Sequence, residues 1–196
     1  MPISSEEKIL LQNLTSSISP LNDEELDSFA ALFEPVSFKR KTILTRTGEK
    51  EKFLYVVKEG IQRIYFLSPD GKEADLIFTY APSFGGVLDS MMLGSPSRYH
   101  YETLTQSEML RAPMDAVLHL ASKPGVAKLL QKGLAISLAG LLERLVETQS
   151  RSSEEKFRAL LRRSPHILHT VPHKYLASYL GIDPTNFSKL LHTVPI

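Results

Sequence analysis

The chain of 196 residues is long for one minimal module and fits two small domains, or one domain with a substantial appendage. It has no cysteine, which excludes a disulfide framework, a thiolate nucleophile, a cysteine-held iron–sulfur cluster and a Cys-type zinc site. Its net charge of +1 hides an asymmetry: residues 1–150 hold 16 Lys/Arg against 19 Asp/Glu, whereas residues 151–196 hold 7 against 3 and four of the six histidines, a modest basic footprint for nucleic acid.

The apolar fraction of 42% and charged fraction of 23% are ordinary for a globular protein. No uninterrupted apolar run approaches the roughly 20 residues that span a bilayer, and Met1–Lys8 lacks a basic region followed by an apolar one. A cytoplasmic protein without a membrane partner is expected.

Residues 6–33 read as helical. Asn22 is a good N-cap for a run that carries Leu26, Phe29, Ala30 and Phe33 at helical spacing, and Pro35 closes it. Residues 36–111 read as strands and turns. Phe53–Val57 and Ile61–Leu67 are rich in β-branched and aromatic residues, and Lys58-Glu59-Gly60 between them reads as a tight turn with a left-handed glycine. Pro69-Asp70-Gly71-Lys72 is a second turn, leading to a strand over 74–80, and residues 99–110 supply later strands. Short strands so punctuated suggest a sandwich or barrel.

A short helix is predicted from Pro113-Met114-Asp115 to about Lys123-Pro124-Gly125. The run from Val126 to Gln149 then places Leu129, Leu130, Leu134, Leu138, Leu141, Leu142, Leu145 and Val146 at spacings of three and four. Such a helix either lies on the barrel as a core element or also packs against its copy in a second subunit; Gly133 and Gly140 would allow close approach. Residues 149–153 read as a hinge, with Ser153 capping a helix over 154–163, and Pro165 and Pro172 bracket a short segment.

The most specific local pattern is Val171–Leu191. Pro172 suits a first helical turn; Leu176, Ala177 and Leu180 form a buried stripe; Gly181 turns the chain; Ile182 plugs the turn; Asp183 caps a second helix with Pro184 at its first position; Phe187, Leu190 and Leu191 bury it. This is a helix-turn-helix, with a plain helical hairpin as the alternative. Thr185, Asn186, Ser188, Lys189 and His192 would face a DNA major groove beside Pro184, and His173, Lys174 and Tyr175 are candidates for phosphate contact.

On these residues the chain resembles the family of the cyclic-AMP receptor protein and the Fnr-type regulators (Crp-Fnr). The likeness runs through Leu21–Leu26, Phe38–Leu44 and Gly48, through Leu54–Gly60 and Asp70–Glu73, through Pro82-Ser83-Phe84-Gly85-Gly86, and through the helix-turn-helix. It implies an α+β chain of three parts: a double-stranded β-helix (jelly-roll, cyclic-nucleotide-binding-like) sensor over 1–123, a dimerisation helix over 124–150, and a DNA-binding helix-turn-helix over 151–196. Double-stranded DNA, a second copy and RNA polymerase are the implied partners. Phe84, Gly85, Gly86, Ser97 and Arg98 are the implied effector-pocket residues, but in degenerate form. Gly86 stands where nucleotide-binding members carry a ribose-binding glutamate, and Ser97 where they carry the phosphate-binding arginine. Arg98, one residue later, is either an anion ligand or a surface residue, and Tyr99 and Tyr101 would fill a nucleotide pocket. Cyclic AMP is therefore not expected to bind tightly, and no cofactor is assigned beyond an unidentified small-molecule effector. The family's two-stranded wing has no counterpart in Thr193-Val194-Pro195-Ile196, so a full wing is not expected, and weaker, less salt-dependent DNA binding is.

Two rivals stand beside this reading. A metal enzyme on the same barrel needs clustered ligands, but only His100 lies within 36–111, and Pro172 separates His166 and His169 from His173; no catalytic or metal residue is assigned. The other is a dimeric small-ligand or partner-binding sensor whose helix-turn-helix no longer reads DNA.

Overall fold

The computed structural model describes residues 3–194, so Pro195 and Ile196 of the expected chain end lie outside the described residues. Two helices lead, α1 (Ser5–Ile18) and α2 (Asp23–Ala30). Asn22 caps α2 in a capping box, its side chain accepting from the Glu25 N–H at 2.9 Å while the Glu25 carboxylate accepts from the Asn22 N–H. Eight strands follow: β1 (Glu34–Phe38), β2 (Ile43–Thr45), β3 (Phe53–Glu59), β4 (Ile61–Leu67), β5 (Glu73–Tyr80), β6 (Ser83–Gly85), β7 (His100–Thr103) and β8 (Ser107–Pro113), with α3 (Leu88–Leu93) between β6 and β7. Pro35 does not close a helix. It sits inside β1, at the edge of its sheet, where a residue without an N–H is tolerated.

The strands form two antiparallel sheets, ordered β1-β8-β3-β6 and β2-β7-β4-β5. β3 and β4 are consecutive yet lie in different sheets, so the turn at Gly60 carries the chain from one layer to the other. Gly60 has φ +92°, and a Cβ there would collide with the Gln106 carbonyl oxygen and Ser107. The Asp70-Gly71 turn, with Gly71 at φ +82°, joins the β4–β5 hairpin as its sequence predicts.

Alternation along the strands sorts the core. Tyr55, Val57, Ile64, Tyr101 and Met109 point between the sheets. Leu54, Val56, Leu110 and Ala112 point outward beneath α1 and α2, against Leu11, Phe29 and Phe33. Both faces of β3 are thus covered, which is why it reads as a continuous apolar run.

After β8 come α4 (Met114–Leu120) and α5 (Pro124–Ser150). The Gly125 N–H, left without a partner at the start of α5, donates to the Glu25 carboxylate at 2.7 Å and ties the long helix to α2. Val126 and Leu129 are buried, but from Leu134 onward the apolar side chains stand in solvent; Leu138 is 60% exposed. At about 1.5 Å per residue the helix is roughly 40 Å long. It is also the one described helix long and apolar enough to cross a membrane by length and composition, although Lys128, Lys132, Glu143, Arg144 and Glu147 interrupt it. That qualifies the expectation that nothing here approaches such a span.

The chain ends in α6 (Ser153–Arg163), α7 (Ile167–Thr170), α8 (His173–Leu180) and α9 (Pro184–Thr193). The cap of α6 is Ser152, not Ser153: Ser152 lies three residues before Glu155, and the two form the reciprocal bonds of a capping box. The α5–α6 junction is clasped by the buried Glu147 carboxylate, which pairs with Arg144, Arg151 and Arg163.

Candidate nucleic-acid interface

α8 and α9 fold as the sequence pattern requires. Gly181 ends α8 in the left-handed conformation at φ +62°. The Asp183 carboxylate accepts from the Thr185 N–H at 2.8 Å and the Asn186 N–H at 3.3 Å, and Pro184 opens the helix where no N–H is needed. Leu176, Ala177, Leu180, Ile182, Phe187 and Leu190 are buried together with Phe157 and Leu160 of α6. Phe157 and Phe187 meet edge to face at 5.4 Å.

Burying Phe187 and Leu190 turns the other face of α9 outward. Pro184, Thr185, Asn186, Ser188, Lys189 and His192 are all exposed, as are His173 and Lys174 at the start of α8. The face pairs amide and hydroxyl groups with a lysine, a set able to read base edges and touch phosphate.

Tyr175 departs from its expected place. It is buried against the barrel, its ring on the Arg63 guanidinium at 3.9 Å and its hydroxyl accepting from Lys41 Nζ at 2.9 Å. In this arrangement it is not presented to a phosphate. The reason is tertiary: α8 packs on β5, so a side chain early in α8 finds an aromatic and ionic partner before it finds solvent.

The partner cluster was not assigned from sequence. Arg63, only 2% exposed, donates through Nε to Glu102 at 2.8 Å and through Nη1 to Glu73 at 2.6 Å and Asp75 at 2.9 Å. Tyr65 covers its other face at 3.8 Å. Burial opposes the Arg63 charge, yet the bond to Glu73 and the charges of Asp75 and Glu102 outweigh it and raise its pKa further; burial pushes the Asp75 carboxyl up. A charged residue amid the apolar Ile61–Leu67 strand was the available signal, but cross-strand partners are not visible in a linear pattern.

A cleft of about 450 Å³ opens between the barrel mouth, α5 and the C-terminal helices. Phe84, Gly85 and Gly86 line it with Leu54 and Met91, facing Gly140 and Arg144 of α5 and Leu160, Ser164 and Tyr179 beyond. Ser97 and Arg98, expected at an effector pocket, do not line this cleft. Ser97 is buried and its Oγ is engaged with the Tyr99 backbone. Arg98 is exposed and leans on the Tyr99 ring. Within the barrel Tyr101 is fully buried, packs on Tyr55 and lies against Gly85. The Glu51 carboxylate is also buried nearby. It accepts from Thr45 Oγ1 at 2.6 Å and the Val87 N–H at 3.3 Å, and burial pushes its pKa up. Among the described residues, no group of three or more His, Asp or Glu side chains is placed to hold a metal ion.

Residues 35–123 match the family of the cyclic nucleotide-binding domain, just under half of the chain. No curated protein sequence matches the chain. Among solved structures, FixK2 from Bradyrhizobium japonicum is similar with a TM-score of 0.74 at 16% identity, over 83% of this chain and 84% of that one. The c-di-GMP responsive global regulator CLP of Xanthomonas campestris gives 0.67 at 17% identity, over 88% and 91%. A protein assigned to the crp/fnr family from Eubacterium rectale gives 0.69 at 18% identity, over 88% and 82%. At such identities the likeness is one of fold, and it extends through the barrel, the long helix and the helical C-terminus. Residues 35–123 thus resemble the cyclic nucleotide-binding domain by sequence, and the chain as a whole shares the fold of these regulator structures.

Proposed function

We propose that the chain is a dimeric DNA-binding transcription regulator of the Crp-Fnr type, with a sensor over 1–123, a dimerisation helix over 124–150 and a reading head over 151–196. The observation that carries this is the outward face of α9: Thr185, Asn186, Ser188 and Lys189 are exposed while the apolar side of the same helix is fully used. DNA is the partner whose groove fits such a helix, and RNA polymerase follows by family analogy alone. The solvent-exposed stripe of α5 supports a second copy over a lipid surface. Leu134, Leu138, Leu141 and Leu145 repeat at spacings of three and four along a single seam, and charged residues flank it.

The sensor takes an effector other than a tightly bound cyclic nucleotide. Gly86 offers no carboxylate to a ribose, Arg98 stands outside, and Tyr101 occupies the barrel interior. Gel retardation with genomic fragments, compared for the native chain, Asn186→Ala and Lys189→Ala, tests the DNA reading. Weakened retardation in both variants is expected. Equal retardation by all three proteins would overturn the DNA reading at Asn186 and Lys189, and no retardation by any would leave the chain as a sensor whose helix-turn-helix is structural.

A further inference from the structure

Resting on the reading that the sensor's effector is not a cyclic nucleotide, we propose that the cleft between the barrel and the helices takes a small apolar acid. Its hydrocarbon body would sit on the barrel side, and its one carboxylate would be held by Arg144 of α5 and Arg163 of α6. The two sides of the cleft differ in the way such a molecule does. The barrel side is apolar, with Leu54, Ile64, Ile77, Phe84, Leu88 and Met91 along it. The volume of about 450 Å³ is ordinary for a small-molecule site, and apolar walls with a few placed polar groups are the usual make-up of one.

The helix side is cationic. Arg144 and Arg163 line it, and among the described residues Glu143 is its one carboxylate. Behind them lies the buried Glu147, which pairs with both and with Arg151. Three arginines thus meet two carboxylates, which leaves one positive charge for a ligand anion. Arg144 also has a donor to spare. Its Nη1 donates to Glu147 at 2.9 Å and its Nη2 to the Tyr179 carbonyl at 2.5 Å, but its Nε is buried and has no hydrogen-bond partner among the described residues.

A buried donor without an acceptor costs stability. A carboxylate entering beside α5 supplies that acceptor after a small turn of the guanidinium, whose planar fork suits a carboxylate. The apolar walls set the rest of the ligand. A ribose placed against Leu54, Phe84 and Met91 would bury hydroxyls where Gly86 offers no side-chain acceptor. A hydrocarbon body leaves nothing unpaired there.

Equilibrium dialysis of the full chain against decanoate, decan-1-ol and cyclic AMP tests this without DNA. Decanoate should bind saturably, and about tenfold or more tighter than the alcohol. Arg144→Gln should weaken decanoate about tenfold and leave the alcohol unchanged, whereas loss of a merely structural arginine would weaken both alike. Arg144→Lys, which keeps the charge, should restore most of the difference. Gly140→Leu carries the test if Arg144→Gln does not fold. Gly140 lines the cleft, an added Cβ there meets nothing within 4 Å, and leucine favours a helix more than glycine does. Its side chain should fill the cleft and abolish binding of both molecules. Decanoate binding unchanged by either folded variant puts the molecule elsewhere, as on the exposed leucines of α5, and overturns the inference. Decanoate that binds no better than the alcohol, or not at all, overturns it and leaves the sensor reading standing. Saturable micromolar binding of cyclic AMP overturns the sensor reading itself and this inference with it.

Discussion

At the scale of single residues, chemistry and backbone geometry make separable predictions. Asn186 and Lys189 are exposed on α9 and support no neighbour, so removing them tests recognition without disturbing packing. Asn186→Ala should cost about 1–3 kcal/mol of binding and relax discrimination at one base position. Lys189→Ala should weaken all sequences more evenly and lower the salt slope if its contact is to phosphate; anisotropy titrations across a salt series distinguish the two. Gly60 is a different case. Its φ of +92° and the crowding by the Gln106 carbonyl and Ser107 leave no room for a side chain. Gly60→Ala should therefore lose about 2 kcal/mol or more in urea denaturation, and a variant as stable as the native chain would show that the turn can relax. In the barrel, calorimetric titration with cyclic AMP should show no saturable heat below millimolar concentration, because the ribose carboxylate and the phosphate arginine are both missing from the cleft; a micromolar constant would contradict this.

Among the elements, α5 carries the prediction of a dimer. Its first turns are anchored by Val126, Leu129 and the Glu25–Gly125 bond, and its later turns leave leucines in solvent. Each such leucine gains roughly 1.5–3 kcal/mol when fully buried, which is the physical basis for the proposed pairing of two copies along this seam. Leu138→Glu with Leu142→Glu should convert a sedimenting dimer to a monomer, and a native chain that is already monomeric at tens of micromolar would refute the pairing. The far end of α5 carries a pH dependence. Burial would raise the Glu147 pKa, but its bond to Arg144 and its pairing with Arg163 outweigh this and hold it below the ordinary value. With the folded pKa below the unfolded one, the stabilisation is complete above the ordinary glutamate value of about 4.3. It is lost as the pH falls through the folded value. Thermal midpoints should drop over that acid range in the native chain and drop less in Glu147→Gln; parallel acid limbs would show that the clasp contributes nothing.

Across the whole molecule, the C-terminal helices do not stand apart from the barrel. Ile61 and Leu104 of the barrel belong to the same buried cluster as Phe157, Leu176 and Phe187. Tyr80 and Ser164 share a hydrogen bond, and Arg144 Nη2 donates to the Tyr179 carbonyl, so the barrel, α5 and the C-terminal helices meet around one cleft. A molecule occupying that cleft would touch all three, including Tyr179 of α8. Ligand binding in the cleft and the packing of α8 on the barrel should therefore be coupled. A ligand that fills the cleft should change hydrogen exchange in 174–180 as well as in the barrel, and one that protects the barrel alone would show that the two are independent.

What was legible in the sequence was local. The Asn22 cap, the Asp70-Gly71 turn, the Gly181 break and the Asp183-Pro184 start each depend on a few neighbouring residues and their allowed dihedrals, so they could be placed before any contact was known. The apolar periods of α5, α8 and α9 likewise separated buried from exposed faces, and with them most of the candidate reading face. Ser152 was legible too, through its spacing to Glu155, though Ser153 was the cap chosen. The tertiary structure alone decided the rest. Pro35 could enter a strand only because β1 lies at a sheet edge. Ser97 and Arg98 lie apart from the cleft because the segment before β7 turns one side chain into the protein and the other into water. Tyr175 turned from DNA to the barrel because Arg63, more than a hundred residues earlier, waits there between three carboxylates. Such partners are brought together by the path of the backbone, and nothing in the spacing along the chain encodes their meeting.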